Sequence, residues 1–168
     1  MGCATWKFPD PGPRAGVRGP SGPVAVTLAV ERKVGWDEAA DRAALLETLQ
    51  QQGGMQIQPV SQLTGEGVGL AIKVRDVPAS DAAEAMAIVS MATATIVPAF
   101  SGSEGLDVRF EVQRQGKPAG IYEYQARRQV LIWLPLLPFA WVNLITPYRA
   151  DALRGIARQF LHDSGSLR

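Results

Sequence analysis

Five short stretches of the chain alternate apolar and polar residues, which is the period of a strand with one buried face. They are residues 24–30, 55–58, 70–75, 106–113 and 121–127. The last two are the most regular, and the residues between them contain the Gly and Pro that are typical of a turn. These two stretches therefore predict a β-hairpin.

Two other stretches have the period of a helix. The first follows Asp37, a suitable N-cap, and ends at Gln52, before two glycines. The second follows Thr146, with Pro147 at the first helical position. Their apolar faces consist of Ala39, Leu45, Leu46 and Leu49 in the first and of Leu153, Ile156, Ala157, Phe160 and Leu161 in the second. The whole pattern predicts an α+β fold of about five mostly antiparallel strands, with helices packed on one side.

The order of these stretches predicts a chain of three parts. Residues 24–163 are expected to form a single α+β domain, because 168 residues and 18.0 kDa are enough for one core but not for two large ones. Residues 1–23 are expected to be a flexible tether, because prolines and glycines recur between Pro9 and Pro23. Residues 164–168 are expected to be a disordered tail.

Two long runs of the chain carry no charge, namely residues 85–103 and residues 129–148. An apolar helix of about 20 residues would be long enough to span a bilayer. In the second run Pro135 and Pro138 disfavour such a helix, because each costs about 3 kcal/mol in a helix interior. Within the first run, the small Ala residues and the Met residues of 85–97 favour burial in the core.

The leucines and tryptophans of residues 130–142 are difficult to bury whole in a domain of this size. Tryptophan favours the headgroup level of a membrane, and neighbouring arginines can bind lipid phosphates. This segment therefore predicts contact with membrane lipid or with a partner protein. The candidate contact residues are Trp133, Leu134, Leu136, Leu137, Phe139, Trp141, Arg127, Arg128 and Arg149.

Composition and charge exclude several classes of function. The 17 Lys and Arg against 16 Asp and Glu leave a net charge of +1, so no general positive field attracts nucleic acid. A single Cys excludes an internal disulfide, and one Cys with one His excludes a Cys/His zinc cage. We therefore expect no nucleic acid partner, no metal and no cofactor.

The side chains that often mark an active site are not arranged as one. His162 is the only histidine, and Asp163 follows it directly, so the two are not expected to face each other on a helix. Gly65, Gly67 and Gly69 lack the spacing of a dinucleotide-binding loop and lead into a strand. They are therefore expected to form an ordinary loop.

The acidic and aromatic clusters have structural explanations as well. Asp37, Glu38 and Asp41 are expected to be favourable charges at the start of a helix. Tyr122 and Tyr124 share one face of a strand, but no basic surface accompanies them to bind bases. The sequence names no reaction, and we expect the protein not to be an enzyme.

The order Gly2-Cys3, followed by a flexible stretch, resembles the end of a bacterial lipobox, in which a small residue precedes the lipidated cysteine. The upstream apolar positions of that motif are absent here. The resemblance implies a lipid on Cys3, and Ala4 in place of an Asp implies the outer membrane. Two alternatives remain open: an unmodified thiol, and a myristoyl-palmitoyl start, which requires Ser or Thr where Trp6 lies.

The layout as a whole resembles small bacterial cell-envelope lipoproteins of a poorly characterised family. The resemblance implies a palmitate-bearing protein that faces the periplasm, with a non-catalytic accessory or binding role. It would contact membrane lipid or an envelope protein through its apolar segment. One alternative is a soluble binding domain whose apolar run 130–142 forms a homo-oligomer interface. The other is a small hydrolase acting on envelope components, which the lack of a suitably placed His disfavours. The sequence leaves the partner and the oligomeric state open.

Overall fold

Seven strands and three helices make up the part of the chain that this computed structural model describes, which is residues 2–8, 22–31, 38–63, 65, 67–94, 96–133, 135 and 149–165. The strands are β1 (Gly2–Lys7), β2 (Pro23–Glu31), β3 (Gln56–Pro59), β4 (Val68–Val77), β5 (Ala99–Ser101), β6 (Gly105–Arg114) and β7 (Lys117–Ile132). The helices are α1 (Glu38–Gly53), α2 (Asp81–Ala92) and α3 (Arg149–Asp163).

All seven strands belong to one mixed sheet. Its order is β1-β7-β6-β4-β2-β3, and β5 also pairs with β7. Strand β2 runs parallel to β3 and β4, and the remaining pairs are antiparallel. The predicted α+β class with mostly antiparallel pairing is confirmed, although the described sheet has two strands more than predicted. The additional strands are β1 and β5.

The predicted hairpin is present as β6 and β7. The turn residues Gln115 and Gly116 have φ angles of 51° and 73°, the left-handed conformation that tight hairpin turns require. Phe110 lies opposite Tyr122 in the ladder. Strand β7 continues beyond the predicted stretch to Ile132, so it takes up the start of the second apolar run.

The beginning of the predicted tether is a strand. Residues Gly2–Lys7 pair antiparallel with the far end of β7, where Cys3 lies opposite Leu131. The tether prediction was therefore wrong for this segment, because the prolines that prevent ladder formation begin only at Pro9. Residues 9–21 lie outside the described residues.

The core lies between one face of the sheet and the pair α1 and α3. Leu45 and Leu49 of α1 and Leu153 of α3 are fully buried, as the helical periodicity predicted. Phe160 of α3 stacks on Phe110 of β6 with a ring separation of 4.3 Å. Ala39, in contrast, is exposed, so the buried face of α1 begins one turn later than predicted.

A buried ion cluster ties α3 to α1 and β4. Arg149 is only 7% exposed, and its Nε donates to Asp41 Oδ2 at 2.7 Å. Its Nη1 donates to Asp76 Oδ1 at the end of β4. Asp41 is thus more than a helix-start charge, and Arg149 is not available for the predicted lipid contact. Both corrections have one cause, since a buried charge is stable only when it is paired.

The opposite face of the sheet is polar and solvated. Glu111 Oε1 lies 3.2 Å from Lys73 Nζ and 2.9 Å from Arg109 Nε. Arg109 Nη1 also lies 3.2 Å from Glu123 Oε1. The shared Glu111 carboxylate offsets the repulsion between Lys73 and Arg109, two cations that lie directly opposite each other in the ladder.

The carboxylate of Asp163, at the end of α3, contacts three side chains. Tyr124 Oη donates to its Oδ2 and Gln159 to its Oδ1, both at 2.8 Å, and His162 Nδ1 lies 3.1 Å from Oδ1. The prediction that His162 and Asp163 do not meet was wrong, because both side chains lie at the exposed end of the helix and turn toward each other. The predicted tail included Ser164, but this residue is buried and its backbone N donates to the backbone O of Phe160. Residues 166–168 of that tail lie outside the described residues.

We predict that Arg149→Met lowers the free energy of unfolding by about 3–5 kcal/mol, because it leaves two buried carboxylates without their cation. The matched control is Arg154→Met on the same helix. Its partner Asp151 is 2.7 Å away and both side chains are about two-fifths exposed, so the expected loss is below about 1 kcal/mol. Urea unfolding of the two variants measures the difference, and equal losses would contradict a special role for Arg149.

We predict that Asp163 makes the stability pH-dependent in acid. Burial raises its pKa, but the bonds from Gln159, Tyr124 and His162 outweigh this and hold the pKa below the ordinary 3.8. The ionised carboxylate therefore stabilises the fold above that ordinary value, and the contribution is lost as pH falls through the folded-state pKa. Urea midpoints measured below about pH 4 should fall less steeply for Asp163→Asn than for the parent, and equal slopes would contradict the prediction.

Candidate functional site

Among the described residues, all but one of the exposed large apolar side chains lie on α2, the segment after it, β5 and the residue after β7. They are 38–66% exposed and comprise Met86, Ile88, Val89, Met91, Ile96, Val97, Phe100 and Trp133. We call these eight residues the apolar surface. The prediction that residues 85–97 are core was wrong, because Ser90 is the only buried residue of α2 in the described part of the chain.

Helix α2 begins and ends on clear local signals. Ser80 is its N-cap, and its Oγ accepts a hydrogen bond from the Ala83 backbone N at 3.3 Å. Asp81 and Glu84 in the first turn favour the positive end of the helix dipole. The Ser80 backbone N donates to Ser103 Oγ at 2.9 Å, which ties the start of the helix to the connection between β5 and β6.

The helix places its small residues inward and its large ones outward. Ala83 and Ala87 are half-buried and Ser90 is fully buried, which lets α2 lie close to β5. Ile88 and Val89 are 58% and 51% exposed on the other side. On a typical amphipathic helix the large apolar residues face inward and polar residues face outward. The outward face of α2 is apolar instead, so it is suited to a contact outside this chain.

Two sets of contacts link the part of the apolar surface near α2 to the end of β7. Trp133 Nε1 donates to the backbone O of Ile96 at 3.0 Å, which joins the segment after α2 to the residue after β7. Strand β5 pairs with the last residues of β7, with Phe100 opposite Leu131. These bonds hold the surface on the sheet rather than on a separate loop.

The predicted lipidation residue, Cys3 of β1, pairs with the same end of β7. Leu131 lies between Cys3 on one neighbouring strand and Phe100 on the other. Adjacent strands are about 4.8 Å apart, so the backbone of Cys3 lies roughly 10 Å from that of Phe100. The backbone at Cys3 therefore lies close to that of one member of the apolar surface.

The other predicted contact residues are distributed differently. Arg127 Nη1 lies 2.8 Å from Asp107 Oδ1, and Arg128 Nε lies 3.8 Å from Glu104 Oε1. Both cations are thus paired with carboxylates of this chain. Of the predicted segment only Trp133 belongs to the apolar surface. The remaining candidates lie outside the described residues, namely Leu134, Leu136, Leu137, Phe139 and Trp141.

A groove of about 350 Å³ lies on the polar face of the sheet, between the side chains of β4, β6 and β7. Lys73, Asp107, Arg109 and Glu123 line it, and each is engaged in an ion pair described above.

Within the described ranges, no group of three or more His, Cys, Asp or Glu side chains is placed to hold a metal ion. Among the helices described here, none has the length and apolarity needed to cross a membrane.

The tyrosines considered as base-stacking residues support the core instead. The Tyr122 ring meets Phe160 edge-on at 5.4 Å, and the Tyr124 ring meets Phe110 at 5.9 Å. Burial and the bond to Asp163 raise the pKa of Tyr124 above its usual range.

Gly65 and Gly67 have positive φ angles in the predicted loop. Sequence reasoning missed the apolar surface, although the placement of Ala87 and Val89 on opposite sides of a helix was a signal for it.

Comparisons with known proteins give structural likenesses only. No protein-family model matches the chain, and no curated protein matches it. A PelC dodecamer from Paraburkholderia phytofirmans is similar over 96% of this chain and 95% of that chain, with 13% identity and a TM-score of 0.45. A minor lipoprotein from Acinetobacter baumannii is similar over 84% of this chain and 90% of that chain, with 14% identity and a TM-score of 0.39. Similarity at this level assigns neither assembly nor lipidation to this chain.

We predict that Ser90→Leu destabilises the protein by about 1–3 kcal/mol, because a larger side chain would lift α2 from β5. The matched control is Ser90→Ala. The Ser90 Oγ is buried without a hydrogen-bond partner among the described residues, so its removal should be neutral or slightly stabilising. Urea unfolding distinguishes the two, and a neutral Ser90→Leu would mean that α2 does not turn this face inward.

Proposed function

We propose that this chain is a lipid-anchored protein of the bacterial envelope with a non-catalytic accessory or binding role. A lipid on Cys3 holds it to the periplasmic face of a membrane, with the outer membrane favoured by Ala4. Its binding function is exerted through the apolar surface. One observation carries the proposal. The apolar surface is exposed, and it lies at the end of the sheet where Cys3 pairs with β7.

The size of the apolar surface supports a binding role. Eight large side chains that are about half exposed present on the order of 700 Å² of apolar area. The largest patch of an ordinary monomer is about 300–600 Å², and one side of a standard protein interface is about 800 Å². The surface is thus large for a monomer and suitable for one partner of a protein complex.

Charge at the surface favours a protein over an anionic bilayer as its direct contact. Asp81 and Glu84 are exposed in the first turn of α2 and would be repelled by anionic headgroups. At the other end, Arg128 is already paired with Glu104. In this proposal the lipid on Cys3 supplies the membrane attachment, and the apolar surface is left for a protein.

The chemistry of the surface supports the non-catalytic part of the proposal. No titratable side chain occurs between Glu84 and Glu104. Acid–base and nucleophilic catalysis need such groups within reach of the substrate. The surface instead offers burial of apolar area, which drives association.

We predict that the natural gene product, expressed in a bacterial host, incorporates an alkyne-tagged palmitate and enters the membrane fraction. Cys3→Ser should lose both the label and the membrane association, because the thiol is the acceptor of the lipid. An unlabelled parent would contradict the anchor. A Cys3→Ser protein that still binds liposomes in flotation would show that the apolar surface itself contacts lipid, against the protein contact proposed here.

A further inference from the structure

We propose that the apolar surface docks a second copy of this chain, with α2 of one copy packed antiparallel against α2 of the other. The inference rests on the proposed binding role of the surface and names its partner. It does not depend on the lipid anchor. The occupant is inferred from the order of side chains along α2, from the placement of its charges and from the area available.

The outward face of α2 is complementary to itself. Ala85 and Ala92 lie along this face and are exposed, with Ile88 and Val89 midway between them. When two such helices cross antiparallel at their centres, Ala85 of one copy lies opposite Ala92 of the other. The small residues then let the helices approach closely while the Ile and Val side chains fill the middle of the contact. A two-fold axis generates this arrangement with a single surface.

The charges of α2 select the antiparallel orientation. Asp81 and Glu84 are its only charged residues, and both lie in the first turn. Antiparallel packing places the two acidic ends at opposite ends of a 12-residue helix pair, roughly 18 Å apart. Parallel packing would bring four carboxylates together, which is unfavourable.

The available area matches what a dimer needs. The surface continues from α2 over Phe100 to Trp133, so a contact centred on Ile88 extends well beyond one helix. An area on the order of 700 Å² per copy is close to the roughly 800 Å² that each partner contributes to a standard interface. Two copies would therefore cover each other's apolar surface without a third protein.

The first measurement is the mass of the unlipidated Cys3→Ser chain by sedimentation velocity at micromolar concentration and above. We expect a species of twice 18.0 kDa. Ile88→Asp should weaken the association at least tenfold, because it puts a charge at the centre of an apolar contact. Ile121→Asp is the matched control, since Ile121 is similarly exposed but lies outside the surface. A parent that remains monomeric, or an association unaffected by Ile88→Asp, would overturn the inference.

The second measurement tests whether the contact is centred on α2. In the Cys3→Ser background, Ile88→Cys should form an intermolecular disulfide under mild oxidation, because its position lies near the two-fold axis. Ile121→Cys should remain unlinked at the same protein concentration. Equal linkage of both variants would overturn the proposed packing. Palmitate labelling of a chain that is monomeric would leave the lipid anchor standing while this inference fails, so the two proposals fail separately.

Discussion

The fold depends on one buried cation. Arg149 is bound by Asp41 of α1 and Asp76 of β4, so three elements that are distant in sequence meet at a single guanidinium. Its charge must be taken out of water for α3 to pack, and two carboxylates are there to compensate it. Since α1 and α3 cover the same face of the sheet, this contact fixes the position of both helices above the core.

Strand β7 connects that core to the candidate site. Its first part pairs with β6, and its last residues pair with β5, which takes the place of β6 on the same edge. The exchange occurs near Gly105, where a Cβ would lie 2.0 Å from the backbone O of Ala126. Any side chain there would force the two strands apart. Because β5 supports α2, the apolar surface is attached to the rigid sheet at this point.

Local pattern was enough to predict the elements that bury one face against the core. β2, β4, β6 and the first part of β7 alternate regularly, and α1 and α3 have apolar residues at helical spacing. β1 was not predicted because the Pro- and Gly-rich stretch that follows it indicated a tether, and β5 was not predicted because three residues carry too few alternations. The apolar composition of α2 also led to a wrong prediction. Composition indicates how readily a segment is buried, but it does not show whether this chain or another molecule covers it.

The ion cluster illustrates the other limit of sequence reasoning. Arg149 is separated from Asp41 by 108 positions and from Asp76 by 73, so nothing local pairs them. An arginine beside a long apolar run suggested lipid phosphate, whereas the fold brings in two carboxylates. The position of Cys3 was equally impossible to predict from local pattern, because Leu131, its partner in the ladder, is separated from it by about three quarters of the chain.

That distance has a consequence for the order of folding. β1 can pair only after the end of β7 has been synthesised, and closing so long a loop costs more entropy than closing the local hairpin. The β6–β7 hairpin and the β4–β6 pair can therefore form while the first residues are still unpaired. Cys3 stays in an open segment until late in the assembly of the sheet. A reaction at Cys3 before the sheet is complete would therefore act on an extended chain rather than on an edge strand.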